Sequence, residues 1–205
     1  MISVSFLKSI YGREETLKKI DESIADQIHV DLMDGEYTEE KNFEIDEIIN
    51  SLKEVNKPLD IHLMVNEPEK YIDKLALLHP KTITFHLNTS NKIDELINII
   101  KDYNIEVGIA INPDEDIHLL DNYLNKIDYV LVMSVFPGKG GQMFIPNVIE
   151  KVKKKKKKNI LVGIDGGIND ESINYLKGYQ IDNIISGSFV CMNEDYNSQI
   201  NKLKI

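Results

Sequence analysis

His29, Asp31 and Met33 occupy alternate positions in the apolar run 27–33 (QIHVDLM), and Asp60, His62 and Met64 repeat that spacing in 59–65 (LDIHLMV). Side chains two apart on an extended strand share one face, so each run groups an imidazole, a carboxylate and a thioether. A further carboxylate, Asp165, ends the run ILVGI at 160–164. Polar groups inside apolar strands are costly to bury unless they are partnered. The set His29, Asp31, His62 and Asp165 offers two imidazoles and two carboxylates, donors suited to one divalent metal ion such as Zn, Fe, Mn or Co. A lone histidine in a strand is more simply read as satisfying a buried hydrogen bond; two strands with matched periods favour the cation. His86, at the end of 82–87, reads as structural. His79 and His118 fall at loop or helix positions with no partner pattern.

A second kind of chemistry is suggested by glycines late in the chain. They occur in Pro137-Gly138-Lys139-Gly140-Gly141-Gln142, in Asp165-Gly166-Gly167 and in Ser186-Gly187-Ser188. Glycine lets the backbone come close to an anion and aim amides at it. The formal net charge is −10, so an anionic ligand must be held by such local dipoles rather than by the field of the whole protein. The same charge argues against a nucleic-acid surface.

These residues need a scaffold that brings strand ends together. Apolar runs recur at 2–7, 27–33, 59–65, 82–87, 106–111, 128–135, 160–164 and 181–186, each followed by a charged stretch of helical spacing. Examples are the stretch opening at Pro68, Ile93 to Tyr103, and Pro146 to Lys157. Eight strand–helix units in 205 residues point to a single α/β domain over 1–205, a (β/α)8 TIM barrel, with the doubly wound open sheet as the alternative. In such a barrel, functional groups stand at the C-terminal ends of strands, and phosphate is bound after the seventh and eighth. Asn66 is placed to N-cap a helix with Pro68 near its start, and Asn169-Asp170-Glu171 to open the helix after the seventh strand. The basic run Lys153 to Lys158 reads as a solvated helix end.

One cysteine, Cys191, excludes an internal disulfide and suits a reducing compartment. With no signal-peptide pattern and no apolar stretch of membrane-spanning length, the expected location is cytoplasmic, with no membrane partner.

Several segments, taken in order, resemble the ribulose-phosphate 3-epimerase family: ISVSFL at 2–7, HVDLMDG at 29–35, IHLMV at 61–65, LVMSVFPGKGGQMFIP at 131–146, IDGGIN at 164–169 and SGS at 186–188. The resemblance implies a barrel of the ribulose-phosphate-binding type. It also implies metal-dependent epimerisation at C3 of a ketose phosphate, D-ribulose 5-phosphate to and from D-xylulose 5-phosphate, through an enediolate. His29, Asp31, His62 and Asp165 would hold the metal, with Asp31 and Asp165 doubling as the acid/base pair. Ser5, His62, Met33, Met64, Met133, Gly138, Lys139, Gly140, Gly141, Asp165, Gly166, Gly167, Gly187 and Ser188 would meet the small sugar phosphate. It further implies a homo-oligomer. Two departures stand out. Segment 36–43 reads EYTEEKNF where the family usually has aromatic, Val, Pro and Asn residues, and Lys8-Ser9-Ile10-Tyr11 replaces the usual continuation of the first strand. The first departure keeps open an alternative ketose phosphate such as D-allulose 6-phosphate. A non-catalytic sugar-phosphate-binding barrel is a further alternative.

Overall fold

A computed structural model describes residues 1–154 and 160–205. The chain runs β1 (Ile2–Ser5), α1 (Arg13–Glu22), β2 (Gln27–Met33), α2 (Ile45–Leu52), β3 (Leu59–Met64), α3 (Glu69–Ala76), β4 (Thr82–His86), α4 (Ile93–Asp102), β5 (Glu106–Ile111), β6 (Tyr129–Met133), α5 (Ile149–Lys154), β7 (Leu161–Asp165), β8 (Asn183–Ser186), α6 (Ser188–Cys191) and α7 (Tyr196–Lys202). The strands close into a parallel barrel in sequence order, β1 pairing with both β2 and β8. This is the expected (β/α)8 barrel. Two of the connections lack an α-helix: a 3-10 turn at Ile117–Leu120 follows β5 and another at Ser172–Leu176 follows β7.

The strands read as nearly continuous apolar runs because both faces are covered. Outward residues such as Ile28, Val30, Leu32, Ile61, Leu63, Ile83, Phe85, Val107 and Ile109 are buried. They join helix residues including Leu17, Ile20, Ile48, Ile72, Leu75, Leu96 and Ile100 in one core. The spacing of these helix residues, three or four apart, gives each helix its apolar stripe.

Inside the barrel the filling is divided. Ala110, Tyr129, Leu131, Met133 and Ile185 form a small apolar cluster on β5, β6 and β8. The opposite wall is polar, with Gln27, His29, Asp31, Asp60, His62, Thr82, Thr84 and His86 all buried on β2, β3 and β4. The Tyr129 ring fits only because β5 and β7 carry glycine beside it. A Cβ on Gly163 would lie 1.7 Å from Tyr129 Oη, and one on Gly108 would lie 2.9 Å from Tyr129 Cδ1.

Local capping differs in part from the sequence reading. Asn66 does not cap α3, which begins at Glu69 with Pro68 at its N-cap. The Asn66 backbone N–H donates to Asp34 Oδ2 at 2.7 Å, pinning the loop after β3 to the loop after β2. Asn169 does open the segment after β7, its Oδ1 accepting from the amides of Glu171 and Ser172, but the segment is 3-10 rather than α-helical. Of the basic run, Lys153 lies in α5 with its ammonium beside Glu150 and over the Tyr179 ring. The remainder, beyond Lys154, lies outside the described residues. No helix among the described residues is long and apolar enough to cross a membrane.

Gly163→Ala forces a methyl group into the Tyr129 phenol and is expected to destabilise the barrel by about 1–3 kcal/mol. The urea midpoint measures it, and an unchanged midpoint would show that the ring can give way.

Candidate metal and substrate site

Each of the four predicted donors stands on the inner face of its strand. Strand pairing sets His29 beside Asp60 and Asp31 beside His62, so β2 and β3 interleave imidazole with carboxylate across their shared wall. Asp165 ends β7 and pairs in register with Met133. One ligand atom from each of His29, Asp31, His62 and Asp165 lies within 4.8 Å of the others. Two donors on opposite sides of a first-row cation stand roughly 4 Å apart, so the cluster needs little closure to hold one.

The hydrogen-bond geometry supports that fit. His29 Nδ1 lies 2.9 Å from Asp60 Oδ2. Its Nε2 is fully buried, makes no hydrogen bond and faces Asp31 Oδ1 at 3.2 Å. His62 directs Nδ1 at the same Asp31 oxygen at 2.9 Å. Asp165 Oδ2 stands 3.8 Å from both His29 Nε2 and His62 Nδ1. A buried ring nitrogen with no hydrogen-bond partner, set among two carboxylates and a second imidazole, is the arrangement a divalent cation satisfies.

The cluster opens onto a cavity at the C-terminal end of the barrel. Its wall includes Ser5, Asp31, Met64, Met133 and Asp165, together with Gly138 to Gly141, Gly166, Gly167, Gly187 and Ser188. Those expected residues thus converge. Met33 does not join them; it is fully buried beneath the loop after β2, its amide donating to Asn42 Oδ1. His62 is likewise fully buried, behind Asp31. Ser5 donates its hydroxyl to Asp31 Oδ2 at 2.6 Å and so orients that carboxylate while lining the cavity. Gly167 has a positive φ of 66° that favours glycine, and a Cβ there would meet Phe144 N at 2.4 Å and Gln142 O at 2.8 Å. The glycine therefore lets the loop after β6 lie against the end of β7.

A model of the Ribulose-phosphate 3 epimerase family matches residues 1–191. The chain belongs to the ribulose-phosphate 3-epimerase family. A ribulose-phosphate 3-epimerase of Buchnera aphidicola (subsp. Baizongia pistaciae, strain Bp) is 36% identical over 216 residues, covering 100% of this chain and 94% of the relative. One from Escherichia coli (strain K12) is 30% identical, covering 100% and 94%. Among solved structures, KGPDC from Streptococcus mutans superposes with a TM-score of 0.74 at 11% identity, covering 98% of this chain and 94% of the other. The 3-hexulose-6-phosphate synthase of Salmonella typhimurium gives 0.72 at 16%, covering 98% and 95%. These two likenesses concern the fold.

Three features of this family member escaped sequence reading. Asp60 directly partners His29. His86, read as structural, places Nε2 2.9 Å from His62 Nε2 without joining the four-residue cluster. Lys8 reaches the cavity, where it packs against Gly140 and Gly141 beside Lys139. The even spacing of Asp60 and His62 on one strand was the available signal for the first. The contact of His86 depends on the register of the consecutive strands β3 and β4, and that of Lys8 on packing against a loop far along the chain.

Electrostatics divide the groups of the site. Burial works against charge on His29, yet the carboxylates of Asp31 and Asp60 hold its imidazolium well above the usual range. Burial likewise opposes charge on Asp31, but His29 and His62 keep its carboxyl well below the usual value. Asp165 is pushed up to about 6 by burial and by the facing charge of Asp31. His86 is depressed by burial and by neighbouring His62. A cation must displace the His29 proton near neutrality and the Asp165 proton as well below about pH 6. Affinity for Zn²⁺ or Mn²⁺ is therefore expected to weaken as pH falls, by about tenfold per pH unit for each proton displaced, and more steeply below pH 6. Competition with a chromophoric chelator across pH 5–8 measures the slope; a flat profile would contradict this assignment.

Proposed function

We propose that this chain interconverts D-ribulose 5-phosphate and D-xylulose 5-phosphate by inverting C3, with Asp31 and Asp165 as the proton-transferring pair. The observation that carries the reading is the meeting of two carboxylates, Asp31 buried on β2 and Asp165 part-buried at the end of β7, at the floor of one glycine-walled cavity. Membership of the epimerase family and the names of its relatives point to the same reaction.

The hydrogen on C3 lies beside a ketone and is too weakly acidic for a carboxylate alone. A divalent cation held by His29, Asp31, His62 and Asp165 supplies Lewis acidity, stabilising negative charge on substrate oxygen by several kcal/mol. One aspartate takes the C3 proton, and the bonding electrons move to the C2 oxygen. The other aspartate returns a proton to the opposite face as those electrons re-form the carbonyl. A single residue returning its own proton would regenerate the starting isomer. The reverse reaction exchanges the two duties, so each carboxyl alternates between acid and base.

Ser5 keeps Asp31 turned toward the cavity through its 2.6 Å hydrogen bond. Met64 and Met133 give the wall polarizable, non-titrating contacts for the sugar carbons. The phosphate lies against backbone amides near Gly166, Gly167, Gly187 and Ser188, with Lys8 and Lys139 adding positive charge to the same cavity. Its binding energy orients C3 between the two carboxyls.

Asp31→Asn and Asp165→Asn are each expected to lower turnover by roughly a thousandfold or more, since proton transfer and metal binding are lost together. A coupled epimerase assay, run after chelation and single-metal add-back, gives the rates; a near-normal rate in either variant would sink the two-aspartate mechanism. Running D-allulose 6-phosphate beside D-ribulose 5-phosphate tests the substrate, with the pentose phosphate expected to have the higher kcat/KM.

A further inference from the structure

We propose that Asp60 is the positioning residue of the metal centre, fixing the His29 tautomer that turns Nε2 toward the cation. The inference rests on the metal reading above and adds to it a residue outside the ligand set. Asp60 is 1% exposed and lines neither the cavity nor the four-residue cluster. Substrate contact therefore does not account for it. The interior of a barrel is ordinarily packed with branched apolar side chains, and a buried carboxylate is costly without close partners. Its direct partner toward the site is His29, whose Nδ1 lies 2.9 Å from Asp60 Oδ2.

The carboxylate is itself held in place. Asn183 Nδ2 lies 3.3 Å from the same Asp60 oxygen and 3.3 Å from Tyr129 Oη. Ser3 Oγ donates to Asn183 Oδ1 at 2.8 Å, and Gln27 Nε2 donates to Ser3 Oγ at 3.3 Å. Residues of β1, β2, β3, β6 and β8 thus form one polar layer under the site, ending at the far side of the His29 ring. An Asp60 carboxylate accepts from Nδ1–H, so when a cation displaces the Nε2 proton the remaining proton stays on Nδ1 and the Nε2 lone pair is left to the metal. A negative partner also makes the imidazole a stronger donor.

His62 provides a contrast. Its remote Nε2 meets another imidazole, that of His86, rather than a carboxylate. The two histidines therefore differ. His29 is the ligand braced by a carboxylate, presenting Nε2, while His62 presents Nδ1 and meets a second imidazole on its far side.

Asp60→Asn retains shape but removes charge, and Asp60→Glu retains charge. The expected result for Asp60→Asn is a 10–100-fold weaker affinity for Zn²⁺ in chelator competition, with partial recovery in Asp60→Glu. The visible absorption of the Co²⁺-loaded Asp60→Asn protein is also expected to shift. At saturating metal, kcat should fall more than KM changes. Wild-type Zn²⁺ affinity and an unshifted Co²⁺ spectrum in a folded Asp60→Asn protein would overturn the proposal while leaving the metal site standing. If the wild-type protein itself bound no Zn²⁺ or Co²⁺, the metal reading would fall and this inference with it. Should Asp60→Asn not fold, nitrogen-15 NMR of the Zn²⁺-loaded wild-type protein decides. Protonation of His29 at Nδ1 supports the assignment, and protonation at Nε2 overturns it.

Discussion

Negative charge buried inside the barrel is the constraint around which the rest is arranged. Asp31 and Asp60 are almost wholly enclosed and Asp165 nearly so, and the basic side chains set among them are the imidazoles of His29 and His62. Carboxylates in such surroundings are retained only when each has a hydrogen bond or a counter-charge. The strand register provides this by setting carboxylate beside imidazole twice across β2 and β3. A shift of one residue in that pairing would turn the polar face of one strand into the outer apolar core and leave the other's charges unpartnered. The site therefore helps specify the register, and the register builds the site.

The same constraint explains the uneven filling of the barrel. Polar residues occupy the β2–β4 wall, so apolar volume must come from elsewhere, and Tyr129, Leu131 and Ile185 provide it. Tyr129 does two things at once. Its ring fills the space opened by Gly108 and Gly163, and its hydroxyl meets Asn183 within the polar layer beneath His29. Stability at the closed end and geometry at the open end are linked through this layer. The usual division of a barrel into a stabilising face and a functional face is here bridged by side chains inside it.

Much of this was legible in the sequence because it depends on short periods. Alternation places His29 with Asp31, and Asp60 with His62, on common faces without knowledge of which strands are neighbours. Eight apolar runs alternating with helical stretches point to the barrel, while the pairing of the first strand with the last that closes it is seen only in the fold. Less was legible where partners are chosen by register or by loop packing. Asp60 could be seen on the correct face, but its pairing with His29 requires the offset between β2 and β3. Asn66 looked like a helix cap because it stands just before Glu67-Pro68-Glu69, yet α3 begins only at Glu69 with Pro68 at its N-cap, and Asn66 stays in the loop with its backbone N–H held by Asp34. The segments after β5 and β7 have helix-like polarity but form only 3-10 turns. Met33 has the same spacing as Met64, yet the loop after β2 folds over it through Asn42 and removes it from the cavity.

The charge balance of the whole chain also bears on how an anion enters. A net charge of −10 disfavours approach of a sugar phosphate, and the buried carboxylates add to that field at the cavity floor. The opposing contributions are local: Lys8 and Lys139 stand at the cavity wall, and the glycine-rich turns after β6, β7 and β8 present backbone to it. α6 is a single turn, so its dipole contributes little and individual amides must do most of the holding. Such short-range forces are weakly felt in bulk solvent at physiological ionic strength, where screening acts over about 8 Å, and strongly felt within the cavity. The arrangement does not draw an anion from a distance. On the function proposed above, it retains one that has entered with its phosphate toward the glycines and its carbon chain toward the carboxylates, the orientation that the proposed proton transfer at C3 requires.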